Sequence, residues 1–351
     1  DSQGKTVLYK EVERENYDTI DFLLASGADI NAQDNEGRTV LFDAVLKGPS
    51  NMNMIDHLIE NGVDVDHRDY SERTIIDDLC EAVLITQSNK KPTLKRFLEL
   101  KETEDYFVLL KKMLLFKPKI NQPKSNGRTL IFELVNENNL ELIKMIVNAG
   151  ADLNVEDYDG ATPLSYMIDN GLKITRQREK ELFLERLVFL LKFRVEINTV
   201  DKDGRTIFHK AVMADDIEVV EKLLSKKTNL DIRDKQGRTA LHHTQWKGNY
   251  KIARLLISAG ADINAADYAG FTILNYAAIL GHTRLVVVLI ASGILMYNHR
   301  KKSKSVAKFF KERESNLDKL INANLTDEKM KRALQEVVDN LKKEINDALE
   351  G

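Results

Sequence analysis

A short phrase returns along this chain at a fixed interval, and the interval decides what the chain can fold into. It reads Asp34-Asn35-Glu36-Gly37-Arg38-Thr39-Val40-Leu41 near the start. It returns around Gly127, Gly160, Gly204, Gly237 and Gly270, each followed two residues later by a Thr, and in degenerate form at Asp69-Tyr70-Ser71-Glu72-Arg73-Thr74. Four steps between phrase glycines (4 to 37, 127 to 160, 204 to 237, 237 to 270) are 33 residues. A period of that size belongs to stacked repeats, because one such unit cannot bury its own apolar face and must pack on its neighbours. It also points the function toward binding rather than chemistry.

The phrase has a physical reading. Asp side chains bond nearby backbone N–H groups in turns, and Gly accepts positive φ. The Thr suits the N-cap of a helix. A short first helix follows, as in Ile207-Phe208-His209-Lys210-Ala211, and a second helix carries an apolar stripe, as in Ile217, Val219, Val220, Leu223 and Leu224. Gly27, Gly62, Gly150, Gly260 and Gly293 stand where second helices stop in a left-handed cap. The closing phrases Gly27-Ala28-Asp29-Ile30-Asn31, Gly150-Ala151-Asp152-Leu153-Asn154 and Gly260-Ala261-Asp262-Ile263-Asn264 complete the pattern.

Together the two phrases resemble the ankyrin repeat over residues 1 to about 298. The resemblance implies an all-α solenoid of helix pairs joined by β-hairpin-like turns, and the apolar stripes beyond residue 298 add a C-terminal helical extension. Eight units begin near residues 1, 34, 69, 124, 157, 201, 234 and 267. The third and fifth are enlarged, by insertions at about 81–115 and 171–186. In the third, Thr93–Leu115 reads as helix; in the fifth, Arg176–Phe193 reads as a second helix lengthened at its front. Units three, five and six place Lys117, Arg194 and Lys227 at the left-handed cap, and weaker joints are expected around units three and five.

The formal charge of -3 implies no general attraction to nucleic acid. The one cysteine, Cys80, lies in helical sequence and reads as a packed, inert thiol, and its solitude suits a reducing, cytoplasmic setting. The chain enters a repeat hairpin at Asp1 with no polar capping unit before it, so a preceding segment is expected. The apolar run Leu285–Tyr297 is too short for a membrane span and reads as the second helix of unit eight. Beyond it, residues 299–351 hold a basic linker, His299–Lys304, and two amphipathic helices, which read as a cap on unit eight. A dimerisation or partner-binding arm is the other use of that tail, and contact with a membrane surface a third.

The sequence predicts no enzyme, cofactor or metal site. It has no phosphate-binding Gly-rich loop, no His-Glu-x-x-His and no Gly-x-Ser-x-Gly. His209 and His242 fill the Thr-x-x-His position, which the resemblance makes structural. The resemblance also implies that hairpin tips and the inward side of the first helices bind a partner protein. The residue after each phrase glycine, or after its substitute Glu72, is Lys5, Arg38, Arg73, Arg128, Ala161, Arg205, Arg238 and Phe271. Stacking should align these in a basic row, reinforced by Lys202, Arg233 and Lys235, that would suit an acidic partner segment. The competing use of each is a pair with a nearby Asp or Glu. A second candidate patch is aromatic: Tyr158, Tyr268 and Phe271 at tips, with Trp246 and Lys247 on the first helix of unit seven and Ile279 and Leu280 at the matching place in unit eight. The expected function is a monomeric protein–protein interaction scaffold. The alternatives are a regulatory or targeting module of a larger protein and a membrane-peripheral adaptor.

Overall fold

The computed structural model describes residues 1–88, 105–226, 228–282, 284–290 and 292. They fall into two compact bodies, Asp1–Tyr158 and the part from Asp159 onward. In the first body the helices come in pairs: Val7–Glu13 with Tyr17–Ala25, Val40–Leu46 with Met52–Glu60, Ile75–Ser88 with Tyr106–Leu115, and Leu130–Leu134 with Leu140–Asn148. In the second they are Pro163–Gly171 with Gln177–Leu190, Ile207–Ala214 with Ile217–Leu223, the tighter 3-10 turn His242–Trp246 with Tyr250–Ser258, and Ile273–Ile279 with helical residues 284–290. Among the described residues the tips form no strands, only an isolated antiparallel bridge between Ala266 and Thr272. The fold is the all-α repeat solenoid that the period implies.

The phrase builds the tips as its chemistry suggests. Asp34 Oδ1 accepts the N–H groups of Glu36 and Arg38 at 2.8 and 3.0 Å, and Asp69, Asp201, Asp234 and Asp267 repeat both bonds. Phrase glycines close the turn at φ of +75° to +82°. At Gly37, Gly127 and Gly237 there is a second demand for glycine: the rings of Tyr70, Tyr158 and Tyr268 lie over them, so a Cβ would come within 2.4, 2.8 and 2.6 Å. Glu72 breaks the rule at φ +62°. Its carboxylate accepts the N–H of Ser125 in the next tip at 2.7 Å, a bond that holds its pKa below the usual carboxylate range. Other junctions use a backbone carbonyl there, as in Tyr70 N–H to Glu36 O and Lys235 N–H to Asp203 O, both 2.9 Å.

The phrase Thr works only with the residue three places on. His209, His242, Asn275 and Asp77 each accept the backbone N–H of their Thr at 2.9–3.1 Å and pair with its hydroxyl. In units two and four that place holds Phe42 and Phe132, and the buried hydroxyls of Thr39 and Thr129 have no hydrogen-bond partner. A net hydrogen bond contributes about 1 kcal/mol, and an unmade buried one contributes nothing favourable. Thr206→Val or Thr239→Val is therefore expected to cost about 1 kcal/mol in urea unfolding, while Thr39→Val and Thr129→Val are neutral or slightly stabilising. Equal losses at all four positions would contradict this division.

Second helices start on a different signal. The side chains of Asn16, Asn139, Asp216 and Asn249 accept N–H groups from the first turn. Asp105 does the same, accepting from Phe107 and Val108 at 3.1 and 3.3 Å. That cap corrects the reading of Thr93–Leu115 as one helix: the helix begins at Tyr106, and residues 89–104 lie outside those described. Gly27, Gly62, Gly150 and Gly260 end second helices at φ of +87° to +101°. Lys117 takes the same conformation at φ +53°, at a steric cost of about 1 kcal/mol. Arg194 does not. The long helix of unit five instead tightens at its end, with Lys192 and Phe193 N–H on the carbonyls of Phe189 and Leu190 at 3.0 and 3.1 Å. Lys227, Gly293 and the whole 299–351 tail, with its basic cluster and cap reading, lie outside the described residues. No described helix is long and apolar enough to cross a membrane.

Candidate functional site

The basic row divides in two when its hydrogen bonds are followed. In the first body its members serve their own fold. Lys5 pairs with Asp43. Arg38 is only 8 % exposed and grips Asp34 with Nε and Nη2 at 3.1 and 2.9 Å. Arg73 places Nε on Asp78 at 2.9 Å and Nη2 on the carbonyl of Asp77 at 3.0 Å. Arg128 places Nε on Asp157 at 2.8 Å, with its guanidinium over the Phe132 ring. Each phrase Asp has two oxygens. Oδ1 shapes the turn in Asp34, and Oδ2 of Asp34 and of Asp157 takes an Arg of the row, whereas Lys5 and Arg73 use carboxylates outside the phrase. For these positions the structure turns a surface row into internal bonds, so Arg38, Arg73 and Arg128 do not form a partner-facing row.

In the second body the row is less occupied. Arg205 reaches Asp203 only at 3.4 Å, and its Nε has no hydrogen-bond partner. Arg238 donates from Nη2 to the Tyr276 hydroxyl at 3.2 Å, and its Nε faces Asp267 Oδ2 at 3.6 Å, too far for a hydrogen bond. Its guanidinium sits between two rings, 5.9 Å from the Trp246 centroid and 5.3 Å from that of Tyr276. Phe271 adds a third ring, 5.4 Å from Tyr276. Lys202 and Lys235 are exposed at the tips, and no described carboxylate pairs with either. Arg233 points its Nη1 at the carbonyls of Gly237 and Ala266.

Trp246 stands out from this face at 60 % exposure rather than packing under its neighbour. Its indole N–H donates to His243 Nδ1 at 3.4 Å, and His243 Nε2 donates to the buried Asp234 at 2.9 Å. The relay fixes the ring without covering it. Lys247 lies 3.9 Å from Asp215 and is otherwise exposed. Tyr268 and Phe271 are exposed on the adjoining tip, and Tyr158 is exposed on the tip that closes the first body. Ile279 and Leu280 are exposed on unit eight. Sequence reasoning missed Met213 and Tyr276. Met213 was legible, since it stands 33 residues before Trp246, as Ile279 stands 33 after it.

The histidines are structural. His209 and His242 take the Thr N–H on Nδ1, so Nε2 donates, to the carbonyls of Arg238 and Phe271 at 3.1 and 3.2 Å. They tie each first helix to the next tip, and Tyr9 does the same with its hydroxyl on the Arg38 carbonyl. Burial lowers the pKa of both histidines below the usual value, against the pull of those carbonyl bonds. Cys80 is fully buried, which raises its thiol pKa well above normal. No group of His, Cys, Asp or Glu among the described residues could hold a metal ion.

Comparison with known proteins agrees with the geometry. A model of three consecutive ankyrin repeats matches residues 1–75 and 180–267, a many-copy ankyrin model matches 247–290, and a single-repeat model matches 126–158. An ankyrin repeat protein of Rickettsia bellii is 32 % identical over 144 residues, which are 40 % of this chain and 74 % of that protein. The crystal structure of an ankyrin repeat protein aligns with 51 % of this chain and 89 % of its own, at 25 % identity and a TM-score of 0.44. The phrase, its caps, the helix pairs and these matches have one account: the chain belongs to the ankyrin repeat family.

Proposed function

We propose that the chain is a non-catalytic scaffold that binds a partner protein through the tips and first helices of units six to eight. Ankyrin repeats are generally protein–protein interaction modules, which sets the class. The observation that supports this particular face is Trp246, held in place by the His243–Asp234 relay yet left exposed beside Arg238. Exposed aromatic and Arg side chains are what binding hot spots favour, and a fixed ring loses little entropy on docking.

The test is affinity purification of partners by the intact chain, comparing wild type with Met213→Asp/Ile279→Asp and with Glu221→Lys. Glu221 is exposed on the second helix of unit six, away from this face. Proteins retained by wild type and Glu221→Lys but lost by the double variant are the expected result. An unchanged set with the double variant would move binding to another surface.

A further inference from the structure

We infer that the segment held by units six to eight carries carboxylates along one edge and apolar side chains along the other. The carboxylates would lie over Lys202, Arg205, Lys235 and Arg238, and the apolar groups over Met213, Trp246 and Ile279. This names the partner class of the face described above, and it rests on that reading.

Two independent sets of observations place the two edges. The first is loosely held positive charge. Arg205 Nη1 lies 3.4 Å from Asp203 and Arg238 Nε 3.6 Å from Asp267, whereas Arg38, Arg73 and Arg128 hold a carboxylate through Nε at 2.8–3.1 Å. Lys202 and Lys235 are exposed beside them with no described carboxylate in reach. The Arg238 guanidinium, 5.9 and 5.3 Å from the Trp246 and Tyr276 ring centroids, presents its donors in one plane, which suits a carboxylate oxygen pair.

The second is an apolar column. Met213, Trp246 and Ile279 share one place, the seventh residue after the phrase Thr, and are 36, 60 and 51 % exposed. Elsewhere in the array that place holds Glu13, Glu81, Asn136 or Asp169, with Leu46 the exception. Asp169 bounds the column, since it faces unit six through its bond from Lys210 at 2.8 Å. Three successive apolar residues at one position of a solvent-facing column form a patch rather than scattered exposure.

The register of the columns also gives the segment a direction. Positions Lys202 and Lys235 continue to Tyr268, and Arg205 and Arg238 continue to Phe271, each in steps of 33. The cationic columns thus become aromatic at unit eight. The carboxylates belong over units six and seven, and the apolar end of the segment over unit eight. Packed helices lie roughly 8–10 Å apart, so apolar groups on the segment should recur at about that distance. That is about every third residue in an extended chain and about every seventh in a helix.

The test uses the full chain and a displayed library of random 16-residue peptides. Recovered peptides are synthesised with a fluorescein label, their affinities are measured by fluorescence anisotropy, and the emission of Trp246, the one tryptophan of the chain, is followed in the wild type. The expected peptides are rich in Asp and Glu, with apolar residues three or seven apart, and shift that emission. Trp246→Ala is expected to weaken them about 30-fold, the size of a hot spot. The double reversal Lys202→Glu/Lys235→Glu, on exposed side chains, is expected to weaken them about 10-fold or more, with the loss shrinking as salt rises. Peptides that bind but ignore both variants would overturn this site and leave protein binding standing elsewhere. Peptides that need Trp246 but are basic or neutral would overturn the acidic edge and leave the face. Recovery of no peptide would overturn both readings.

Discussion

Phe183→Ala is expected to lower the stability of the C-terminal body by about 3–5 kcal/mol, and Gly171→Ala by about 1–3 kcal/mol. Phe183 is fully buried in the lengthened helix Gln177–Leu190 of unit five. Its ring lies directly on Gly171, the last residue of the helix Pro163–Gly171, where an added Cβ would come within 2.0 Å of the ring. The approach is closer than those at Gly4, Gly37, Gly127, Gly204, Gly237 and Gly248, and Gly171 has no positive φ to explain its presence. The insertion is therefore anchored by one aromatic ring seated on one glycine. A large-to-small change removes the ring's burial and leaves a cavity, whereas the added methyl forces the ring off its seat. The two effects share one contact, so they should not add. Gly171→Ala made on the Phe183→Ala background should cost close to nothing, or fill part of the cavity and stabilise. Denaturant melts of the four proteins give the coupling directly. Additive losses would mean that the ring and the glycine act separately.

The elements of this fold were legible to different degrees, for physical reasons. Turn chemistry is local, so the Asp, Gly and Thr of each tip could be read from a few neighbouring residues. Helix ends were less certain. Asp105 signals a helix start as clearly as Asn139 or Asn249, yet Lys101-Glu102-Thr103-Glu104 before it is as compatible with a helix surface as with a break, and that hid it. Arg194 could not be assigned from alignment, because the ending it belongs to depends on which bonds close the lengthened helix. The basic row shows the limit most clearly. Its members look equivalent in sequence. What separates Arg38 from Arg238 is how closely a carboxylate Oδ2 meets the guanidinium, 2.9 Å at Asp34 against 3.6 Å at Asp267, and that is fixed by packing between neighbours. Arg38 turns back to its own Asp34, whereas in unit seven His243 takes the same oxygen of Asp234 and leaves Arg238 to the surface rings. The column Met213, Trp246 and Ile279 lay in plain sight once the period was applied to side-chain position as well as to the phrase.

That same relay makes the C-terminal body sensitive to acid. His243 is buried against Asp234, His209, Arg205 and Trp246, and burial pushes its pKa down to about 4, outweighing the hydrogen bond to Asp234 that raises it. The proximity of His209 and Arg205 lowers it further. An unfolded histidine takes its proton near pH 6.5. Between that value and about 4 the unfolded chain binds a proton that the folded one refuses, so stability falls as the pH falls through this window and the loss levels off below it. Buried His209 and His242 have pKa values shifted in the same direction and add to the same limb. Asp201, Asp234 and Asp267 act later. Burial opposes their charge, but backbone N–H groups and their side-chain partners prevail and hold them below the usual carboxylate range. Their contribution is intact above about 3.9 and is lost only as the pH drops further. The expected profile is two-stage, with His243 alone contributing a loss on the order of 2–3 kcal/mol between pH 7 and 4. His243→Gln keeps a donor toward Asp234 without a titrating group, so its urea midpoint should change much less over that range. Emission of Trp246 in the folded protein should hold steady through the first stage and change only near pH 4, where His243 takes its proton on Nδ1 and the indole N–H loses its acceptor. Parallel pH profiles for wild type and His243→Gln would show that the buried relay does not carry the acid response.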